Sequence, residues 1–174
     1  MSHKPFLLFL FLFSFNFHSQ AQESPWGGWT GLDIWDLESN FYPNVQLGAT
    51  YSIAQLAPEA KLEGMGGAGF SFVGGSFGTS LFLNFPLGLN LCLGFDGSNY
   101  DTKMPFGIFA GLGAQGTYIN QSGEDIFLLG PYAQAGLNLR INRNAYFLYG
   151  RLQELMIPND IAATLIHIGF GKKF

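Results

Sequence analysis

Four side chains in this sequence could do chemistry together: Asp33, Arg140, Arg151 and His167. A histidine beside a carboxylate is the pairing that acid–base and nucleophilic catalysis use, the acid orienting the ring and the ring moving a proton. His167 is the one histidine beyond residue 21. The missing member is a nucleophile: Thr164 and Gly169 flank it, with no positioned serine. The single cysteine, Cys92, can form no internal disulfide, and one His and one Cys on different segments give no metal-ligand spacing. The run GMGGAGFSFVGG, Gly64 to Gly75, has the look of a phosphate loop. It lacks a following Lys-Ser/Thr and a helix, so its glycines suit tight strand packing, or room for large neighbouring side chains. No catalytic residue, metal site or cofactor is expected.

The elements that must position those four residues show in the hydropathy pattern. Helical periodicity is scarce; Ile53 to Met65 is the one stretch to consider, and Pro58 and Gly64 leave it little room. Period-2 alternation recurs instead. In VQLGATYSI, Val45, Leu47, Ala49, Tyr51 and Ile53 share one face. FGIFAGLGAQGTY, LGPYAQAGLNLRI, YFLYGRL and TLIHIGFGKKF repeat the pattern. Turn-like clusters at 37–44, 54–64, 74–76, 96–105, 120–125, 142–144 and 158–160 separate these runs. Seven breaks give eight strands, and a membrane strand needs about 9–11 residues.

Thr79 to Phe95 holds Pro86 in its middle. A hairpin at Pro86 would give nine strands, and single-chain bacterial barrels have even numbers. One long strand with a bulge or weakened pairing at the proline is the preferred reading. Closure of an eight-stranded barrel makes strands one, seven and eight neighbours. By parity Asp33, Arg140, Arg151 and His167 all point inward. A lumen network linking Asp33, Arg151 and His167, with Arg140 nearby, is therefore expected, since buried charges need partners. Eight strands enclose a space that side chains fill, so a general diffusion pore is not expected.

Which face meets water follows from charge. The chain is 48% hydrophobic and only 11% charged, with 24 glycines, against roughly 25% charged in soluble domains. A soluble lipocalin-like barrel turns its apolar face inward and needs eight charged outer faces, which so few charges cannot supply. The oily face therefore points outward, into lipid. Trp26, Trp29, Trp35, Phe41, Tyr42, Tyr118, Tyr146 and Phe174 are the expected aromatic girdle.

The amino terminus supplies an address. Lys4, then the apolar Pro5–Phe15, then Ser19-Gln20-Ala21 read as a secretory signal cleaved after Ala21. The domain division is a signal peptide over 1–21 and a barrel over 22–174. Losing Lys4 leaves seven basic against twelve acidic residues, nothing like a nucleic-acid footprint.

Over about residues 26–174 the chain resembles the small outer-membrane β-barrels of the OmpX or porin-like type. The resemblance rests on the terminal IHIGFGKKF and on the order NFPLGLNL, FAGLGAQGTY, PYAQAGLNLRINRNAYFLYGRL. It implies an all-β, eight-stranded antiparallel transmembrane barrel, an up-and-down meander, in which a proline in the fourth strand is familiar. It also implies that Ile166, Ile168, Phe170 and Phe174 form the signal read by the barrel-insertion machinery, with Lys172 where an aromatic often stands. The partners expected are outer-membrane lipid and that machinery. The function expected is structural, surface or interactive, without catalysis. The alternatives are a narrow channel or carrier for a small or hydrophobic solute and, further off, a lipid A-modifying enzyme.

Overall fold

In a computed structural model the alternating segments form eight strands: β1 (Trp26–Leu37), β2 (Asn40–Ala57), β3 (Ala60–Gly75), β4 (Gly78–Gly94), β5 (Phe106–Gln121), β6 (Glu124–Ile141), β7 (Asn144–Met156) and β8 (Ala162–Lys173). The structure describes residues 26–37, 40–75, 78–95, 105–121, 124–142, 144–156 and 162–174; the expected signal peptide lies outside them. Each strand pairs antiparallel with its sequence neighbours, and β1 pairs with β8, closing the barrel.

Several strands outrun the turns expected between them. The 37–44 break shrinks because β2 begins at Asn40, and the 54–64 break shrinks to a two-residue turn at Pro58–Glu59. Two register shifts, at Ser52/Ala54 and Gln55/Ala57, take up the irregularity there. The expected break at 158–160 lies outside the described residues. At the β6–β7 turn Asn142 adopts φ 58°, a left-handed conformation that Asn tolerates better than most residues.

Pro86 sits inside one continuous strand. β4 pairs with β5 without a break, Pro86 opposite Gln115. On the β3 side the ladder runs Gly66↔Leu87 and resumes at Gly69↔Asn84, the same register with two pairs missing. Proline has no N–H to donate, so pairing lapses locally without a bulge. Pro131 in β6 coincides with a like lapse against β7, between Leu129↔Met156 and Tyr132↔Gln153.

Alternation sorts the side chains. Leu47, Phe72, Leu87, Leu112, Phe127, Leu152 and Ile168 are each more than half exposed on the outer face. Asn44, Gln46, Asn84, Gln115, Asn138, Gln153 and His167 are buried inside. We call the end that carries Trp26 and Phe174 the near rim, and the opposite end the far rim. Phe174 continues the β1–β8 closure: its N–H donates to the Gly28 carbonyl at 2.9 Å and its carbonyl accepts from the Gly28 N–H at 2.7 Å.

Among the described side chains, two members of the expected girdle turn inward instead. Trp29 is only 4% exposed and meets Phe147 edge-on at 5.9 Å. Its indole fits because Gly48 and Gly67 face it; a Cβ would come within 2.6 Å and 2.8 Å of the ring. Tyr42 packs inside against Phe82 at 5.4 Å. Trp26 is exposed outside and stacks at a tilt on Tyr51, 4.7 Å away.

Candidate functional site in the lumen

β1, β7 and β8 bring Asp33, Arg151 and His167 to one level of the lumen, Arg151 and His167 being direct cross-strand partners. Asp33 Oδ2 lies 3.0 Å from His167 Nδ1 and accepts from Gln46 Nε2 at 2.7 Å. The other ring nitrogen, Nε2, lies 3.2 Å from Gln153 Oε1. Both imidazole nitrogens are thus engaged, and the ring is fully buried. With Gln46 on β2 and Gln153 on β7, the pair links four strands across the closure.

Arg151 makes different bonds from those expected. Its Nε and Nη2 donate to Gln134 Oε1 at 3.1 Å and 2.9 Å, and Nη1 donates to Gln115 Oε1 at 2.6 Å. The guanidinium also lies 4.4 Å from the Tyr132 ring centroid and 5.2 Å from that of Tyr149. Neutral amides and aromatic faces therefore hold this cation, not the Asp33 carboxylate. Arg140 lies six positions from Gln134 toward the near rim and packs over Phe95 at 5.3 Å.

The amides extend the system. Gln134 donates to Asn90 Oδ1 at 2.7 Å, and Gln115 reaches Asn84 at 3.5 Å. Tyr149 donates to Gln46 at 3.5 Å. Alternation places glutamines and asparagines on the inward face, but the expected network names only the charged residues and the histidine. The turn expected over 54–64 hides Lys61 and Glu63, which lie in β3. Glu63 accepts an ion pair from Lys61 at 3.2 Å and another from Lys173 at 3.4 Å, all three inside near the near rim.

Two layers bracket this polar middle. Toward the far rim Leu128, Leu155 and Leu165, with Ile119 against them, form a buried apolar cluster inside the barrel. Toward the near rim a cavity of about 30 Å³ lies among Trp29, Glu63, Phe147, Tyr149, Arg151 and Lys173. That is room for about two water-sized molecules. On the outside near the far rim, Asp125 accepts from Tyr118 Oη at 2.7 Å and Asn120 Nδ2 at 2.6 Å. Those two bonds, the tyrosine first, hold the Asp125 carboxyl below its usual range.

The residues expected to guide insertion all lie on the outer face of β8 or at its end. Ile166, Ile168 and Phe170 are about half exposed or more, and the Phe174 ring covers Gly28, where a Cβ would come within 2.5 Å of it.

No family model and no curated protein matches the sequence. Solved structures do match. Neisserial surface protein A (NspA) aligns at 13% identity with a TM-score of 0.54, over 85% of this chain and 94% of its own. The outer membrane enzyme PagL aligns at 11% identity and 0.54, over 85% and 98%. Ail, the attachment invasion locus protein of Yersinia pestis, solved with the heparin analogue sucrose octasulfate, aligns at 11% and 0.50, over 86% and 96%. The fold is that of small outer-membrane barrels. Such matches include an enzyme and surface proteins alike, so fold alone assigns no activity.

Proposed function

We propose that the chain is an integral outer-membrane barrel, exported by a signal peptide over residues 1–21, with a structural or surface-interaction role and no catalysis. The observation that carries this reading is the closed lumen. The Leu128, Leu155 and Leu165 cluster caps a buried, hydrogen-bonded polar layer, so a hydrated solute meets an apolar plug. In this orientation the near rim, where β1 begins and β8 ends, faces the periplasm. Outer-membrane lipid is the partner of the outward apolar band. The outward Ile166, Ile168, Phe170 and Phe174 are the surface offered to the insertion machinery. A closer kinship to the OmpX type rests on the terminal IHIGFGKKF and the order of the strands before it.

Catalysis by the Asp33–His167 pair is disfavoured by the ring itself. Its Nδ1 faces Asp33 and its Nε2 faces Gln153, leaving no nitrogen to activate a nucleophile, and it is buried at the barrel's centre. Planar-bilayer recording tests the reading directly. The expected result is a silent membrane; reproducible conductance steps from the purified protein would return the narrow channel to first place. A second assay compares lipid A from cells with and without the gene, and an altered profile would overturn the non-catalytic reading.

A further inference from the structure

Among the described residues, one lumen cation has no carboxylate beside it. Arg151 is 2% exposed, and an arginine keeps its proton in any protein interior. Its partners are Gln134, Gln115 and two tyrosine rings; among the described residues no carboxylate lies within ion-pair distance of its guanidinium. Asp33 is directed to His167 and Gln46, and Glu63 is matched by two ammonium groups. A buried charge of this kind is costly unless something neutralises it.

The cavity beside Arg151 has the properties of the missing partner's site. Arg151 and Lys173 line it, and Glu63, its one acid, is already bridged by Lys61 and Lys173. Trp29 lines it too. A guanidinium using three of its five N–H groups and a lining of two cations against one acid together call for a small acceptor. The volume of about 30 Å³ has room for an ion of halide size. We propose that this cavity is a binding site for a single monovalent halide-sized anion, held by Arg151.

Trp29 makes the site visible, because bromide in contact with an indole quenches its fluorescence. The full chain, purified folded in zwitterionic detergent with Trp26→Phe and Trp35→Phe, leaves Trp29 as the remaining tryptophan. Bromide is titrated against gluconate at constant ionic strength. The expected result is saturable quenching that chloride reverses. Arg151→Gln should weaken it by about tenfold or more, the loss of a charge-assisted contact. If Arg151→Gln loses the heat-modifiable folded form, chloride competition in the parent protein decides. Absent quenching, quenching linear in bromide, or quenching that chloride does not reverse would mean water alone occupies the cavity, and the proposal fails.

Discussion

Asp33 Oδ2 lies 3.0 Å from His167 Nδ1 while accepting from Gln46 at 2.7 Å, so one carboxylate ties the first strand to both of its neighbours. Replacing it with alanine strands two buried polar groups at once. Asp33→Ala should cost about 1–3 kcal/mol for each group left unsatisfied. Urea unfolding in vesicles measures this, and a double-mutant cycle with His167→Gln should show coupling of at least ~0.5 kcal/mol. Simple additivity would mean the pair is not coupled.

Ile168 presents a different energetic problem. It is 62% exposed on the outside, between Ile34 and Gly150 in the ladder. In lipid, Ile168→Lys should cost about 2–4 kcal/mol, the penalty for a cation near the midplane of a barrel's outer face. The same change at a water-exposed site costs little. A near-neutral result would place this face in water.

Gly169 tests how the lumen is packed. A Cβ there would come within 2.3 Å of the Tyr149 ring. Gly169→Ala should destabilise the barrel by about 1–3 kcal/mol through overpacking. Gly150→Ala is the control: it faces outward and its Cβ would meet nothing nearer than 4.0 Å. Equal effects at the two positions would contradict the inside–outside assignment of β7 and β8.

Asp125 carries the pH dependence at the far rim, outside the lipid-facing band. Its carboxyl is held below the ordinary range by Tyr118 and Asn120, so the folded form binds its proton less readily than the unfolded form. The resulting stabilisation is present above the unfolded value and is lost as pH falls through the folded one. In an NMR titration Tyr118→Phe should raise the Asp125 midpoint toward that of an ordinary aspartate. An unchanged midpoint would remove the tyrosine as the cause.

Most of the architecture was legible because a barrel repeats one rule, inward polar and outward apolar, eight times. Strand parity alone placed Asp33, Arg151 and His167 inside. What it could not supply was the choice of partners at one level. Arg151 is next to His167 in register, yet its hydrogen bonds go to Gln134 and Gln115. Amide side chains carry no charge to draw notice, and they fill more of this lumen than the ionic groups do. Local composition misled elsewhere. Pro58 and two acids made 54–64 look like a turn, which hid Lys61 and Glu63 inside β3. Trp29 read as an interfacial aromatic because the space made for it belongs to other strands, at Gly48 and Gly67.

The seam between β1 and β8 has a consequence in time. Trp29 pairs with Lys173, and Gly28 with Phe174, across nearly the whole described chain, whereas every other ladder joins strands adjacent in sequence. Hairpins can zip from local contacts, but this last ladder must bring together ends whose encounter entropy is the largest in the molecule. The Asp33–His167 contact spans the same seam, so it is made when the circle shuts and not before. A probe on either residue is a clock for the final step of assembly.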